Sequence, residues 1–194
     1  MSRLWITGYR SYELNVFQEK DPKVEVIKRA VKQALRNQIE QGVDWLITGP
    51  QLGIEQWSAR WGIDLKSDYP EIKVAIMAPF AEFGSQWNDD NKAKLSQLQT
   101  DADFADQVSD TKYRSPAQLR NYQEFMLMHT DAALFVYDSE YPGKSEFELK
   151  AAQQFAETHP YPVNIIDFDQ LQEAANEYEE EQEEIKMERN HEDS

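Results

Sequence analysis

Hydrophobic and polar residues follow two alternating rhythms along this chain. Short runs are apolar at nearly every position: RLWIT at Arg3–Thr7, DWLIT at Asp44–Thr48, KVAIMA at Lys73–Ala78, AALFVY at Ala132–Tyr137 and PVNIID at Pro162–Asp167. Runs this short, rich in β-branched and aromatic residues, predict strands. Ala105–Thr111 predicts one more on a thinner apolar content, and Pro79 marks the end of the third. Between the runs, apolar residues recur every three or four positions, the period of a helix. Asp21-Pro22 opens the first helix, with Asp as N-cap and Pro at the first helical position. Val24, Ile27, Val31, Leu35 and Ile39 then draw one apolar stripe down to Gly42. Further helices are predicted from Ile54 to about Tyr69, from Ser85 to Gln99 and from Ser115-Pro116 to His129, the last carried by Leu119, Tyr122 and Met126. Ser145–Thr158 is expected to bury Phe147, Ala151 and Phe155, and a final helix starts near Phe168 and dissolves into EEEQEE.

Strands that alternate with helices pair in parallel through right-handed crossovers. The runs WLIT, VAIM and ALFV are apolar throughout, as strands covered on both faces must be. The fold class is therefore α/β, a three-layer sandwich with a mostly parallel sheet and helices on both faces. In open sheets of this kind ligands sit outside the carboxyl ends of the strands. Thr7-Gly8, Thr48-Gly49, Pro79-Phe80 and Asp138 all fall at such ends.

Charge narrows the choice of ligand. The 194 residues carry a formal charge of −16 and contain no cysteine. Disulfides and thiolate metal sites are excluded, and the composition fits a reducing cytoplasm. No signal segment opens the chain, and no apolar run approaches the ~20 residues of a membrane span. From Glu177 onward nine acids face only Lys186 and Arg189, a net of −7, which leaves −9 for the rest. Nucleic acid is thus a disfavoured partner, since phosphate neutralisation needs a basic face. Residues 1–176 read as one domain. Residues 177–194 read as an acidic, flexible tail that suits a basic protein partner. The expected assembly of a helix-covered sheet this size is a homodimer.

Three segments carry candidate chemistry. In TGYRSYE, Gly8 permits a sharp turn, Thr7 and Ser11 offer hydroxyls, Arg10 can clamp a phosphate, and Tyr9 and Tyr12 offer faces to a base. In Thr48-Gly49-Pro50-Gln51-Leu52-Gly53-Ile54-Glu55 two glycines bracket a loop into a helix. Backbone N–H groups there suit an anion, and Glu55 suits ribose hydroxyls or the helix dipole. The spacing is neither the dinucleotide fingerprint nor a Walker loop. After Asp138, the turn Gly143-Lys144-Ser145 repeats the anion motif, with Glu146 and Glu148 beside it. Trp57 and Trp61, four apart on a helix, read as core residues. The three histidines are scattered, so no metal site is expected.

In combination and order these segments resemble the YpsA-like family of the SLOG superfamily, relatives of Smf/DprA and of the LOG phosphoribohydrolases. ITGYR is similar to the superfamily's first-strand turn, TGPQLGIE to its second, and residues 120–138 to the passage before its third ligand loop. The resemblance covers residues 2–167. It implies a Rossmann-like sheet and a pocket for a nucleotide or nucleotide derivative, ADP-ribose-like among others. The expected role is that of a cytoplasmic sensor or regulator binding such a ligand. The alternative is an N-glycosidic hydrolase of LOG type, in which Arg10 or Arg120 would hold phosphate and Glu55, Glu146 or Glu148 would activate water. LOG enzymes carry Pro-Gly-Gly-x-Gly-Thr-x-x-Glu in the last loop. This chain has PGKSEFELK, with Lys150 where that glutamate falls.

Overall fold

The computed structural model describes every residue from Met1 to Ser194. Strands and helices alternate as β1 (Arg3–Gly8), α1 (Pro22–Glu40), β2 (Trp45–Thr48), α2 (Ile54–Asp64), β3 (Lys73–Phe80), α3 (Asp89–Asp101), β4 (Phe104–Ser109), α4 (Ala117–Met128), β5 (Ala132–Val136), α5 (Glu146–Ala156), β6 (Val163–Ile166) and α6 (Phe168–Glu192). All six strands are parallel, in the order β4-β3-β2-β1-β5-β6. The chain winds outward from β1 to β4, then α4 carries it back to β5 on the other side of β1. On one face α1 packs against both α6 and α2, and α2 against α3; on the other α4 packs against α5. This is the expected Rossmann-like three-layer sandwich. No helix is long and apolar enough to cross a membrane.

β1 is the hub. Leu4, Trp5 and Ile6 are fully buried, paired to β2 on one side and β5 on the other. α1 forms as its sequence requires: the Asp21 side chain accepts a hydrogen bond from Lys23 N, and Pro22 takes the first turn. Val24, Ile27, Val31 and Leu35 are buried and Ile39 is half-buried against the core. Each of the buried four contributes about 1.5–3 kcal/mol.

The elements differ from the sequence expectation in several places. β3 runs through Pro79 to Phe80, because β2 stops at Thr48 opposite Ile76 and leaves the end of β3 paired only to β4. A proline is tolerated where a strand has a free side. The helix expected from Ser85 starts at Asp89, capped by the Asn88 side chain on Asn91 N, after a turn spanning residues 81–87. In α5 the buried positions are Leu149 and Ala152, while Phe147 is 70% exposed. Consecutive helical residues point about 100° apart, and the turn that brings Glu148 to β1 swings Phe147 outward. Finally, α6 does not dissolve near EEEQEE. It starts with a reciprocal cap between Asp167 and Gln170 and stays helical to Glu192. Leu171 and Ala174 are buried, and Arg29 on α1 pairs with Glu177 and Glu181.

Because β1 and β5 are neighbours with connections leaving to opposite faces, a crevice opens at their carboxyl ends. This is the topological switch point of the sheet.

Candidate functional site

β1 ends in the crevice with Thr7 and Gly8, and loop 1 (residues 9–14) follows. A short 3₁₀ turn forms because the Glu13 side chain reaches back to accept from Arg10 N at 2.8 Å. Loop 2 (residues 49–53) is zipped to loop 1: Ser11 N donates to Leu52 O at 3.0 Å and Ile54 N to Tyr9 O at 3.1 Å. Only glycine fits the crossing point. Gly53 has φ +113°, and a Cβ there would lie 2.5 Å from Ser11 N and 2.6 Å from Tyr9 O. The zip places the first turn of α2, and hence Glu55, beneath Thr7.

Two carboxylates converge on one hydroxyl. Thr7 Oγ1 lies 2.9 Å from Glu55 Oε2 and 3.0 Å from Glu148 Oε2, which arrive from α2 and α5 on opposite faces of the sheet. Glu55 is 3% exposed and also accepts from Gln51 N at 3.2 Å. Glu148 is partly buried as a residue, yet its carboxyl is pushed up to about 7. Burial is the main cause and the Glu55 charge the next, opposed by Arg10 and by the Thr7 hydrogen bond. Arg10 overhangs the pair. Burial works against its charge, but Glu55, Glu148 and Glu13 together hold its pKa above the ordinary value. Its Nη1 donates to Gly8 O at 3.3 Å, and no carboxylate oxygen lies within 4.0 Å.

Tyr122 on α4 closes the floor. A Cβ on Gly49 would fall 2.7 Å from its hydroxyl and against Glu55, so the backbone can pass there only as glycine. The Tyr122 hydroxyl is buried without a partner, as is that of Ser145 at the start of α5. Burial first, then Glu55 and Glu148, raise the Tyr122 phenol well above its usual range.

Other expected residues serve the scaffold. Tyr9 is 3% exposed, stacked between Tyr137 and Phe168, and its hydroxyl bonds the backbone of Asp138 and Tyr141. Its face is therefore closed to a base; Tyr12 is 50% exposed and stays open, with Lys144 Nζ 5.8 Å from its ring centre. Asp138 accepts from Glu140 N and Phe168 N. Thr48 donates to Ile6 O at 2.7 Å and stitches β2 to β1. Several N–H groups expected to face an anion are engaged internally: Gly143 N donates to the Tyr137 hydroxyl and Lys144 N to Glu13 Oε2, besides those of Ser11, Gln51 and Ile54. Glu146 leaves the site to pair with Lys150 at 2.7 Å. Trp61 is core, as expected, while the half-buried Trp57 stacks on it and borders a cleft.

Glu13 and Tyr122 were not among the expected site residues. Glu13 had a signal, three positions after Arg10 in capping-box spacing. Tyr122 had none beyond helical periodicity. Two clefts lie elsewhere: one of about 610 Å³ between α1 and α6, and one of about 670 Å³ behind loops 1 and 2 against α1, α2 and α3. Neither contains Thr7, Arg10, Glu55 or Glu148, so convergence of charge, not cavity size, defines the site.

A parallel doubly wound sheet with a polar cluster at its switch point defines a Rossmann-like α/β domain. Within that class the chain belongs to the YpsA family of the SLOG superfamily: residues 4–171 match the model described as the YspA SLOG family. It is 58% identical over 180 residues to the UPF0398 protein of Levilactobacillus brevis, covering 93% of this chain and 95% of that one. It is also 58% identical over 182 residues to the UPF0398 protein of Lactiplantibacillus plantarum, covering 94% and 96%. The UPF0398 protein of Leuconostoc citreum is 53% identical over 182 residues, again covering 94% and 96%.

Proposed function

We propose that this protein binds a nucleotide or nucleotide-derived ligand of the ADP-ribose kind at the carboxyl ends of β1, β2 and β5, as a cytoplasmic sensor or regulator. One observation carries the reading: Arg10 stands at the switch point with no carboxylate within 4.0 Å, in a chain with 36 acidic residues. A guanidinium so placed offers a two-pronged donor to a phosphate. Lys144 adds charge from the third loop, and Glu55 and Thr7 offer acceptors to ribose hydroxyls. Membership of the SLOG superfamily supports the same ligand class.

A ligand that binds only the folded state raises Tm. ADP-ribose is expected to raise Tm of the wild type, and Arg10→Ala to weaken binding roughly 10- to 150-fold, the worth of about 1.5–3 kcal/mol for a charged hydrogen bond. No shift across a panel of nucleotides and ADP-ribose would sink the proposal.

The Thr7-bridged carboxylates favour a second reading, hydrolysis of an N-glycosidic bond. Water adds to the anomeric carbon, and the base leaves with the bonding electron pair and takes up a proton. Glu148, pushed up to about 7, has the protonation range of a general acid or base at neutral pH. Release of free base from ADP-ribose or a nucleoside monophosphate, lost in Glu148→Gln by about 100-fold or more, is the expected result. Absence of turnover across the panel would leave binding alone.

A further inference from the structure

We infer that the aromatic cluster Phe80–Phe83–Trp87–Tyr113, beyond the carboxyl ends of β3 and β4, is the subsite for the ligand's base; the inference rests on the nucleotide reading above. Phe80 ends β3, Phe83 and Trp87 come from the β3–α3 connection, and Tyr113 from the β4–α4 connection. Ring centres lie 5.2 Å apart for Phe80–Phe83, 5.3 Å for Phe80–Tyr113 and 5.5 Å for Phe83–Trp87.

The two connections are clamped together. Ala81 N donates to Thr111 O at 3.1 Å, and Lys112 pairs with Glu82 at 2.9 Å. Glu82 holds a left-handed φ of +56°, which a glutamate rarely adopts and which tertiary contacts must enforce. Gly84, at φ +79°, lies against the Trp87 ring, where a Cβ would sit 2.8 Å from Cε3. The rings are thus set in place before any ligand arrives. A small core beneath two loops accounts for Phe80 and Phe83. It does not account for Tyr113, whose side belongs to a ring cluster while the residue stays 50% exposed.

Charge and distance favour a base as occupant. Arg114 follows Tyr113, and Arg120 lies in the first turn of α4; both are exposed with no carboxylate within 4.0 Å. Elsewhere on the molecule Arg3, Arg29, Arg36 and Arg60 are ion-paired, and only Arg189 near the end of α6 is not. β3 is the second strand from β1, so the rings' strand stands about 10 Å from the strand of Arg10. Tyr113 follows β4, the third strand from β1, so a phosphate at Arg10 with its base in the ring cluster spans roughly 10–14 Å, on the scale of an extended nucleoside-diphosphate ligand. Aromatic platforms take any base by its π-face.

The test compares ADP-ribose with ribose 5-phosphate, which has no base, by calorimetry on the wild type, Tyr113→Ala and Tyr113→Phe. The expected result is an ADP-ribose affinity weakened about tenfold in Tyr113→Ala, restored in Tyr113→Phe, with ribose 5-phosphate unchanged throughout. Unchanged ADP-ribose binding in Tyr113→Ala, or equal loss of both ligands, overturns the base subsite and leaves the nucleotide reading standing. Failure of the wild type to bind either ligand overturns the base subsite, and failure across the nucleotide panel overturns the nucleotide reading as well.

Discussion

At Thr7 a single hydroxyl proton faces carboxylate oxygens at 2.9 and 3.0 Å, so only one of the two contacts can be a Thr7 donation. A proton on Glu148 resolves the conflict: Thr7 donates to Glu55, and Glu148 donates to Thr7. The sign of the resulting pH dependence is fixed. The folded-state value of Glu148 is raised from 4.5 to about 7, so between these values the native state holds the proton more tightly than the unfolded chain. Its contribution to stability is full below pH 4.5 and is lost as pH rises through 7. Glu148→Gln removes that loss. Thermal melts are expected to show the variant above the wild type at pH 8 by about 2–4 °C, the equivalent of roughly 1 kcal/mol, with the gap closing towards pH 4. A gap that is constant with pH would mean that Glu148 is ionised throughout.

At the scale of elements, each helix follows its apolar spacing until a tertiary contact overrides it. α1 keeps its predicted cap and stripe because nothing polar competes for its inner face. α5 does not: Phe147 has the greater apolar surface, but Glu148 takes the inner direction because Thr7 offers a hydrogen bond and Arg10 an opposite charge to a carboxyl there. α6 shows a third case. Its buried residues end at Ala174, and the later turns touch the body through the half-buried Tyr178 beside α1 and through Arg29 with Glu177 and Glu181. Exposed pairs of this kind contribute about 0–1 kcal/mol. Deleting residues 177–194 is therefore expected to lower Tm by no more than about 3 °C in a thermal melt. A larger drop would show that the acidic turns are part of the folded domain.

Across the whole molecule a charge of −16 works against compactness, and the cations that relieve it are unevenly spent. Arg3, Arg29, Arg36 and Arg60 are ion-paired, while Arg10, Arg114 and Arg120 at the carboxyl ends of the strands are not, and neither is Arg189 near the end of α6. Screening should relieve the net repulsion: raising salt from about 10 to 150 mM shortens the Debye length from ~30 to ~8 Å. Tm is expected to rise over that range, and the affinity for an anionic ligand to fall. A Tm that drops with salt would show that the ion pairs outweigh the net charge.

The alternation of strand and helix, the burial of the central strands, the parallel sheet and the family are all legible in the chain's residue pattern. These follow from apolar spacing within short stretches and from motifs a few residues long. The same pattern also brings Thr7, Arg10 and Glu55 to light, because glycine turns at strand ends are local features. Which acid joins them is set by folding. Glu146 and Glu148 are two residues apart and alike in type, yet one pairs with Lys150 and the other meets Thr7 across 141 positions of chain. The same holds for Tyr9, read as a base platform until its neighbours close over it, and for the loop N–H groups, which the zip between loops 1 and 2 consumes. Burial and hydrogen-bond satisfaction depend on residues brought together by folding, and no local pattern encodes them.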